Sequence, residues 1–417
     1  MEMMRQHDVG GAYEALVPLL DGNEKAQSLF LELLRTGANL FFLNDYAEEM
    51  EADAKAGKPY MQYAFARWHD CTQPEAHSNA TAEEYYLKAD EAGIADAHMC
   101  LAYCWRDGDL GLIDKRKYCT FRNEAVNKGS HMAAQQQLRD IMYGQYGYNR
   151  DPWGAYTMLD KFIRDTEKAG DRIDPRYLTV LAAAAQEKGA NAEADLLYEK
   201  ALKGGDVTAW FWLMRLRCYD QEGNLADTDL LNQMIEEGCD LNIGEAFGAT
   251  QLYVEAFDYD SLDEEIKTDV TKMLKDSLKA AWELGDQMGT FNMGSNYYLG
   301  HLGFEQDYEL AWQWFARAAL MRCNAAYTMM AKMIEEGTAP KDYSEEFQHI
   351  CELRAYRLGD DDCLEKVIDA YKHGFLTDYA MEIERYHLPD YESRQQELEE
   401  DDDEYDEGDD GRYDAYA

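Results

Sequence analysis

The sequence predicts an all-α protein in which paired helices stack side by side, an α-α superhelical solenoid of about nine helix-turn-helix repeats. Three observations lead to this fold class. A pattern of small and large apolar residues recurs at helical spacing, glycines close most copies at separations of 34 to 47 residues, and only 7 of the 417 residues are proline. One such helix pair cannot bury its apolar face alone, so we expect neighbours of the same kind and an open coil with a long inner surface.

The clearest copy runs from Gly289 to Cys323. Its first helix places Met293, Gly294 and Tyr297 on one face. Its second helix begins after Asp307, a residue type that caps helix N-termini. The apolar stripe of the second helix consists of Ala311, Trp314, Phe315, Ala318 and Ala319. Small residues on these faces allow close approach of the two helices, and the aromatic residues fill the remaining space.

Weaker copies of the pattern precede and follow this segment. The second helices of successive repeats are predicted to end at Gly57, Gly93, Gly129, Gly170, Gly204, Gly238, Gly285, Arg322 and Gly359. Their successive separations are 36, 36, 41, 34, 34, 47, 37 and 37 residues. A period in this range with two helices per unit is typical of helical repeat proteins.

At these residues the chain resembles a known family, the Sel-one-like repeat, a relative of the tetratricopeptide repeat. The matching positions are Gly294, Tyr297, Gly300, Asp307, Ala311, Trp314, Ala318 and Ala319, and Asp151 with Ala155 repeats the Asp-x3-Ala step. Met293 stands where the family pattern has leucine, and Arg322 stands where it has glycine. The resemblance implies a protein-binding scaffold and does not imply a particular partner.

The chain divides into four predicted regions. Residues 1–21 form an N-terminal capping helix, residues 22–374 the Sel-one-like or tetratricopeptide-like solenoid, and residues 375–390 a C-terminal capping helix. Residues 391–417 form a disordered acidic tail, since 11 of the 14 residues from Glu397 to Asp410 are acidic. Three roles remain open for the tail: solubility, competition with a ligand by folding back onto the solenoid, and bait for a basic partner.

Charge and cysteine content bound the function. A formal charge of −43 disfavours binding to nucleic acid or to anionic membranes by bulk attraction. No apolar run approaches the roughly 20 residues that span a bilayer, and the N-terminus lacks the features of a signal peptide. The 9 cysteines have an odd count and no repeated spacing, which predicts reduced thiols. We therefore expect a cytoplasmic protein without a cofactor.

Catalytic and metal-binding motifs are not found in the sequence, so an enzyme is not expected. The best metal candidate is His98 with Cys100 and Cys104. On a helix the two cysteines share a face, but His98 points about 160° away from Cys100, so no metal site is predicted. A deep pocket that holds a titratable group of strongly shifted pKa would favour an enzyme after all.

The repeat register suggests a binding surface. The repeats can be aligned on the small residue of each first helix as a reference. The position one after the reference and the position three before the reference are four residues apart, so they share a stripe of the helix. In tetratricopeptide-like stacks, the resemblance implies that this stripe faces the concave groove. The predicted groove set, which includes Arg106 one turn from Tyr103, is Tyr63, Arg67, Tyr103, Arg106, Arg139, Phe211, Arg215, Phe291 and Lys332.

The groove set predicts a non-catalytic scaffold or adaptor that binds a peptide or protein segment. Its bases favour an acidic peptide or a C-terminal carboxylate. It stays equally open that the bases share a column by chance, or that they pair with acids of the next repeat. The alternative function is an acidic inhibitor or immunity-type protein that neutralises a basic enzyme through its outer surface. The sequence defines neither the partner nor the oligomeric state.

Overall fold

The structure is a computed structural model and describes residues 9–35, 40–71, 78–109, 111–170, 172–220, 222–257 and 259–395. In these ranges the chain is helical between its turns, and an isolated β-bridge joins Tyr219 to Leu225. The predicted all-α fold class is therefore confirmed.

The helices follow one another with short connections. They are α1 (Val9–Leu16), α2 (Glu24–Arg35), α3 (Ala47–Lys55), α4 (Pro59–Cys71), α5 (Asn79–Glu91), α6 (Ala95–Asp107), α7 (Lys115–Asn127), α8 (His131–Tyr143), α9 (Pro152–Ala169), α10 (Pro175–Glu187), α11 (Asn191–Gly204), α12 (Thr208–Cys218), α13 (Thr228–Asp240), α14 (Gly244–Glu255), α15 (Glu264–Glu283), α16 (Gln287–Leu299), α17 (Tyr308–Leu320), α18 (Asn324–Glu335), α19 (Glu345–Arg357), α20 (Cys363–Lys372) and α21 (Ala380–Glu382).

Helices pack in pairs, and the pairs stack. The contacts are most extensive between α4 and α5, α6 and α7, α10 and α11, and α16 and α17. First helices also contact the first helix of the next pair, as α6 does with α8, α8 with α10, and α14 with α16. Second helices contribute large buried rings to the core, among them Tyr86, Tyr198 and Phe315. This two-layered stack of helix pairs is the arrangement of a helical solenoid.

Aspartate side chains cap α9 and α17, the two second helices for which the sequence predicts it. Asp307 accepts a hydrogen bond from the Leu310 backbone N–H at 2.9 Å. Asp151 does the same for the Gly154 N–H at 2.7 Å. Each carboxylate satisfies an amide that has no partner within its own helix, and this sets the residue at which the helix begins.

Glycines act in two ways along the stack. After most second helices they take a positive φ and end the helix, as Gly93 does at 96° and Gly285 at 81°. Gly204 ends α11 as predicted, whereas α13 runs to Asp240, two residues beyond the predicted end at Gly238, and both glycines also allow close packing. A Cβ on Gly204 would lie 2.9 Å from Pro175, and a Cβ on Gly238 would lie 2.4 Å from Ala246. The sequence pattern alone does not separate these two uses.

The chain divides into two compact units, one ending at Cys323 and the other beginning at Asn324. In the first unit, α2 is joined to the start of α10 by buried ion pairs. Arg35 Nε lies 2.6 Å from Asp96, and Arg35 Nη1 lies 2.9 Å from Asp174, which is 139 residues away in sequence. Buried ion pairs therefore join repeats that are distant in sequence, which the repeat pattern does not predict.

A second set of contacts strengthens this link. Arg172 Nη2 donates to the Glu32 carboxylate at 2.7 Å, and Arg176 Nη2 donates to the Glu32 carbonyl at 3.1 Å. Repeats that are not neighbours in sequence thus hold one another through arginine side chains, in addition to the apolar contacts between neighbouring pairs.

The N-terminal helix α1 covers the apolar end of the first unit, where the Tyr13 ring lies 5.7 Å from the Phe30 ring. The predicted capping helix spans residues 1–21, of which 1–8 lie outside the described residues. The structure has α1 followed by a 3-10 turn, Val17–Leu19.

The second unit contains α18, α19 and α20 and a small core that includes Leu353, Val367 and Ile383. Arg357 Nε donates to Glu382 at 2.9 Å, and both side chains are fully buried. The helical stretch that follows runs past residue 391, the predicted start of the tail, to residue 395. The remaining tail residues, 396–417, lie outside the described residues.

Candidate binding cavity

Tyr63 and Arg67, two members of the predicted groove set, lie inside the first unit with exposed fractions of 0% and 6%. Arg67 Nε donates to the carbonyl of Leu34 at 3.1 Å, and its Nη1 lies 3.5 Å from Asp70. Because α2 packs on α4 at this point, the register position that faces outward in later repeats is covered here. These two side chains therefore offer no surface to a peptide.

Tyr103 and Arg106 are half-buried and make contacts within the first unit. The Arg106 guanidinium lies 4.5 Å from the Tyr103 ring centroid and forms a two-point ion pair with Asp107 at 2.6 and 2.9 Å. The Tyr103 hydroxyl donates to Gln136 at 3.2 Å. Arg106 is thus a base of the groove set that is paired with an acid of its own chain.

Phe211 and Arg215 line a cavity of about 790 Å³ in the first unit. Helices α12, α14 and α16 and the end of α17 form its walls. The volume is in the usual range of sites that bind small molecules or side chains. Apolar and aromatic groups make up much of the lining, including Trp212, Tyr219 and Met288. We call it the main cavity.

Aromatic rings at the main cavity are exposed to an unusual degree. Phe211 is 36% and Trp212 44% exposed, and their ring centroids lie 5.4 Å apart. Trp212 is not in the predicted groove set, because it follows Phe211 directly and so falls on another stripe of the helix. The sequence signal for it is the density of large rings in the segment Trp210–Trp212.

Arg215 is the basic group of the main cavity. Its guanidinium lies 5.0 Å from the ring centroid of Tyr219. Among the residues that the structure describes, no carboxylate forms an ion pair with it. Arg217 on the same helix differs, since it pairs with Asp195 at 2.6 Å. Arg215 is thus a cation that is held by an aromatic ring and is accessible from the cavity.

Arg139 lines a second, smaller cavity of about 330 Å³, which we call the side cavity. Tyr143, Tyr198 and Trp212 also line it, so the Trp212 indole belongs to the walls of both cavities. Within the described ranges Arg139, like Arg215, has no ion pair to a carboxylate. The structure therefore brings three members of the groove set, Arg139, Phe211 and Arg215, to adjoining cavities.

The last two members of the groove set lie elsewhere. Phe291 is half-buried, with its ring 5.4 Å from that of Phe315. Lys332 belongs to the second unit, is exposed, and has its Nζ 3.8 Å from Glu336, the residue that follows the end of α18. Neither lines the main or the side cavity. Binding by the complete groove set stays a prediction.

Two carboxyl groups on the α14–α16 side of the main cavity have raised pKa values. Burial, with a contribution from the nearby Asp286 charge, raises the pKa of Glu245 to about 7. Burial likewise raises the pKa of Asp286 to about 6, although the backbone N–H groups of Met288 and Gly289 oppose the shift. The repeat register does not select either residue, because the groove set is drawn from one stripe of the first helices.

Arg322 forms the opposite edge of the main cavity and is bound to acids of distant repeats. Its Nη2 lies 2.6 Å from Asp109 and 3.2 Å from Asp70, and its Nη1 forms an ion pair with Asp107. These residues precede Arg322 by 213 to 252 positions. The sequence signal is the arginine in place of the glycine of the repeat pattern, and the register does not indicate its partners.

The metal candidate of the sequence consists of groups already engaged in other contacts. His98 Nδ1 lies 2.9 Å from Asp90 and His98 Nε2 lies 3.0 Å from Glu124, while Cys100 and Cys104 are buried thiols. The described part of the chain contains no group of three His, Cys, Asp or Glu residues placed to hold a metal ion. In the same ranges, no helix combines the length and the apolar character that crossing a bilayer requires.

Comparison with known proteins gives similarity at the level of solved structures. No family model matches the chain, and no curated protein matches it. One similar structure is a protective antigen of uropathogenic Escherichia coli strains that displays an SLR fold, with 15% identity, a TM-score of 0.39, and coverage of 89% of this chain and 76% of that one. Another is a Sel1 repeat protein from Oxalobacter formigenes, with 16% identity, a TM-score of 0.38, and coverage of 80% and 94%. Both are described in the terms of the repeat that the segment Gly289–Arg322 resembles.

Proposed function

We propose that the protein is a non-catalytic interaction scaffold that binds a peptide segment of another protein in the main and side cavities. One observation carries the proposal. The chain has 83 acidic and 40 basic residues, yet Arg139 and Arg215, which line these cavities, have no ion pair among the described residues. Both are therefore available to a ligand.

The chemistry of the lining favours an acidic peptide with an apolar anchor. Exposed aromatic rings and arginine are the residues that dominate the centres of protein interfaces. Guanidinium groups form strong, directed hydrogen bonds with carboxylates. A partner segment would place an aromatic or aliphatic side chain against Phe211 and Trp212, and one or two carboxylates near Arg215 and Arg139.

The raised pKa values of Glu245 and Asp286 are the feature that would favour an enzyme, but the geometry of Asp286 supports a structural role. Asp286 caps the N-terminus of α16, with one oxygen 3.2 Å from the Met288 nitrogen and the other 2.8 Å from the Gly289 nitrogen. A carboxylate engaged in this way is poorly placed to exchange protons with a substrate. We therefore retain binding without turnover.

Selection of short random peptides displayed on phage tests the proposal, with the full chain as bait. We expect the selected peptides to combine Asp or Glu with an aromatic or leucine residue. The affinity of such a peptide, measured by calorimetry, should fall about tenfold or more in the double variant R139E/R215E, because charge attraction becomes repulsion.

A matched control is the double variant R164E/R217E, which makes the same change of charge at exposed arginines paired with Asp160 and Asp195. It should leave affinity nearly unchanged. Equal losses in the two double variants would contradict the proposal. If the protein were instead an acidic inhibitor, it would capture a basic protein, lose affinity steeply with salt, and be unaffected by R139E/R215E.

A further inference from the structure

Arg322 occupies an unusual backbone position for an arginine. It follows the last turn of α17 with a φ of 65°, the left-handed region in which the repeat pattern places glycine. A residue with a Cβ is strained there, by roughly 1 kcal/mol. Such strain persists where the side chain makes compensating contacts. The Arg322 guanidinium makes such contacts with three carboxylates.

Those contacts join α17 to the ends of α4 and α6. Asp70 lies in the last turn of α4, Asp107 ends α6, and Asp109 follows it. Burial alone would raise the pKa of Asp107, but the charges of Arg106 and Arg322 hold it below its usual value. Asp70 is fixed in addition by the Tyr86 hydroxyl, which donates to it at 2.7 Å. We call Arg322 and its three partners the Arg322 clasp.

The clasp is part of the wall of the main cavity. Asp70 and Arg322 both line that cavity, next to Leu320 and Met321 from the end of α17. The side chains of Arg322 and Asp109 are 31% and 16% exposed, whereas those of Asp70 and Asp107 are less than a tenth exposed. Dissolved ions therefore reach the clasp mainly at the Arg322–Asp109 pair. The clasp is thus a polar link between this wall and the early repeats.

We propose that the Arg322 clasp is a salt-sensitive latch that holds the α17 wall of the main cavity against α4 and α6 and limits access to the cavity. The latch goes beyond the proposed function, because it operates in the protein without any ligand. Salt screens the Arg322–Asp109 pair, the most exposed of the three, more than the pairs with Asp70 and Asp107, so rising ionic strength weakens the clasp at that pair and shifts the latch toward the open state. A left-handed arginine in place of glycine gives this one repeat a contact that a glycine could not make.

Hydrogen exchange of the full chain without ligand, read by mass spectrometry at low and high NaCl, tests the latch. We expect exchange at the ends of α4, α6 and α17 to quicken with salt in the natural protein. In R322G, exchange there should be about tenfold faster at low salt and should no longer respond to salt. Glycine suits the φ at this position, so the backbone strain is relieved rather than increased.

A matched control is R217G, which removes an exposed paired arginine from α12. Should R322G fail to fold, D109N removes one partner of the clasp and should give a smaller change at the same segments. Exchange at these segments that is the same in R322G, D109N and the natural protein would overturn the proposal.

Access to the cavity is read with 8-anilinonaphthalene-1-sulfonate, an aromatic anion suited to Phe211, Trp212 and Arg215. Its fluorescence should rise in R322G and at high salt in the natural protein. The rise should be absent from the double variant R322G/W212A, which lacks the indole of the cavity wall. A dye signal that does not change in R322G, or one that persists without Trp212, would overturn the role of the clasp in access.

Discussion

Glu245 is a carboxyl group whose environment opposes its charge. It lies near Asp286 and Asp206, and burial raises its pKa to about 7. Arg215 lines the same cavity, but the structure places it without an ion pair to Glu245. Between about pH 4.5 and pH 7 the folded protein therefore retains a proton that the unfolded chain releases. A proton held only in the folded state makes stability depend on pH.

The direction follows from the two pKa values. Folded Glu245 has a raised pKa, so it favours folding most at low pH, and this contribution is lost as pH rises from about 4.5 to about 7. We predict that E245Q reduces the loss of unfolding free energy between pH 5 and pH 8 by about 1–3 kcal/mol. Urea unfolding at a series of pH values measures it.

The control is E255Q, at an exposed glutamate on the same helix that also lines the main cavity. It should leave the pH profile close to that of the natural protein. If the unfolding free energies of E245Q and the natural protein depended on pH in the same way, the proton on Glu245 would not contribute to the pH dependence of stability.

At the scale of single residues, the repeat register selects part of the lining of the two cavities. The repeat register selects Arg139, Phe211 and Arg215, which do line cavities, because one stripe of each first helix faces the same way. It also selects Tyr63 and Arg67, which are buried, because the cover supplied by α2 depends on tertiary contacts. The repeat register specifies the face of the helix on which a side chain lies. It does not specify which other helix packs against that face.

The pair α16 and α17 shows how a single missing side chain sets the distance between two helices. Gly294 faces Phe315, and a Cβ on the glycine would come within 2.7 and 2.8 Å of two ring atoms. The ring is fully buried and also lies near Phe291. Because the ring is held on both sides, the helices would have to separate to admit the extra carbon.

We predict that G294A lowers the free energy of unfolding by about 1–3 kcal/mol, because the gain in helix propensity is smaller than the cost of overpacking. Thermal unfolding followed by circular dichroism measures the effect. Gly10 in α1 is a helical control, since a Cβ there would lie 3.4 Å from the Tyr46 hydroxyl, an ordinary contact. G10A should be neutral or stabilising, and a stabilising G294A would contradict the packing account.

Elements are more predictable than sites in this chain. The cap at Asp307 and the stripe of α17 follow from local rules, and the structure has the cap and buries Ala311, Phe315, Ala318 and Ala319 as predicted. Trp314 is half-buried, and Trp312, which the predicted stripe does not include, is buried. The prediction that a second helix ends at Gly204 is confirmed, whereas α13 continues to Asp240, two residues beyond the predicted end at Gly238. Both glycines also pack closely against a neighbouring helix, and the residue type alone does not distinguish this use from a helix end. Only the neighbouring helix distinguishes the two.

Across the first unit, ion pairs connect repeats that the sequence separates widely. Arg35 bridges Asp96 and Asp174, and the side chains of all three are less than a tenth exposed. Repeats in a solenoid interact mainly with their neighbours. These bridges add longer-range coupling, which should make the unfolding of this unit more cooperative than that of a simple stack.

We predict that R35M lowers the free energy of unfolding by about 3 kcal/mol, because two carboxylates stay buried without their counter-charge. Urea unfolding followed by circular dichroism measures it. The control R217M removes a partly exposed arginine whose partners Asp195 and Glu199 are also partly exposed, and it should cost about 1 kcal/mol or less. Equal losses of unfolding free energy in the two variants would show that burial of the Arg35 ion pairs does not determine their contribution to stability.

Trp212, a wall shared by the main and side cavities, has a further consequence for recognition. If binding in one cavity changes the orientation of the Trp212 indole, the shape of the other cavity changes as well. Two separate small molecules would therefore affect each other's binding through this one ring. By thermodynamic linkage, each molecule would change the protein's affinity for the other by the same factor. A single extended peptide that passes over the Trp212 ring would occupy both cavities at once, so this coupling would not weaken its binding. Such a peptide would meet the guanidinium of Arg215 in the main cavity and that of Arg139 in the side cavity.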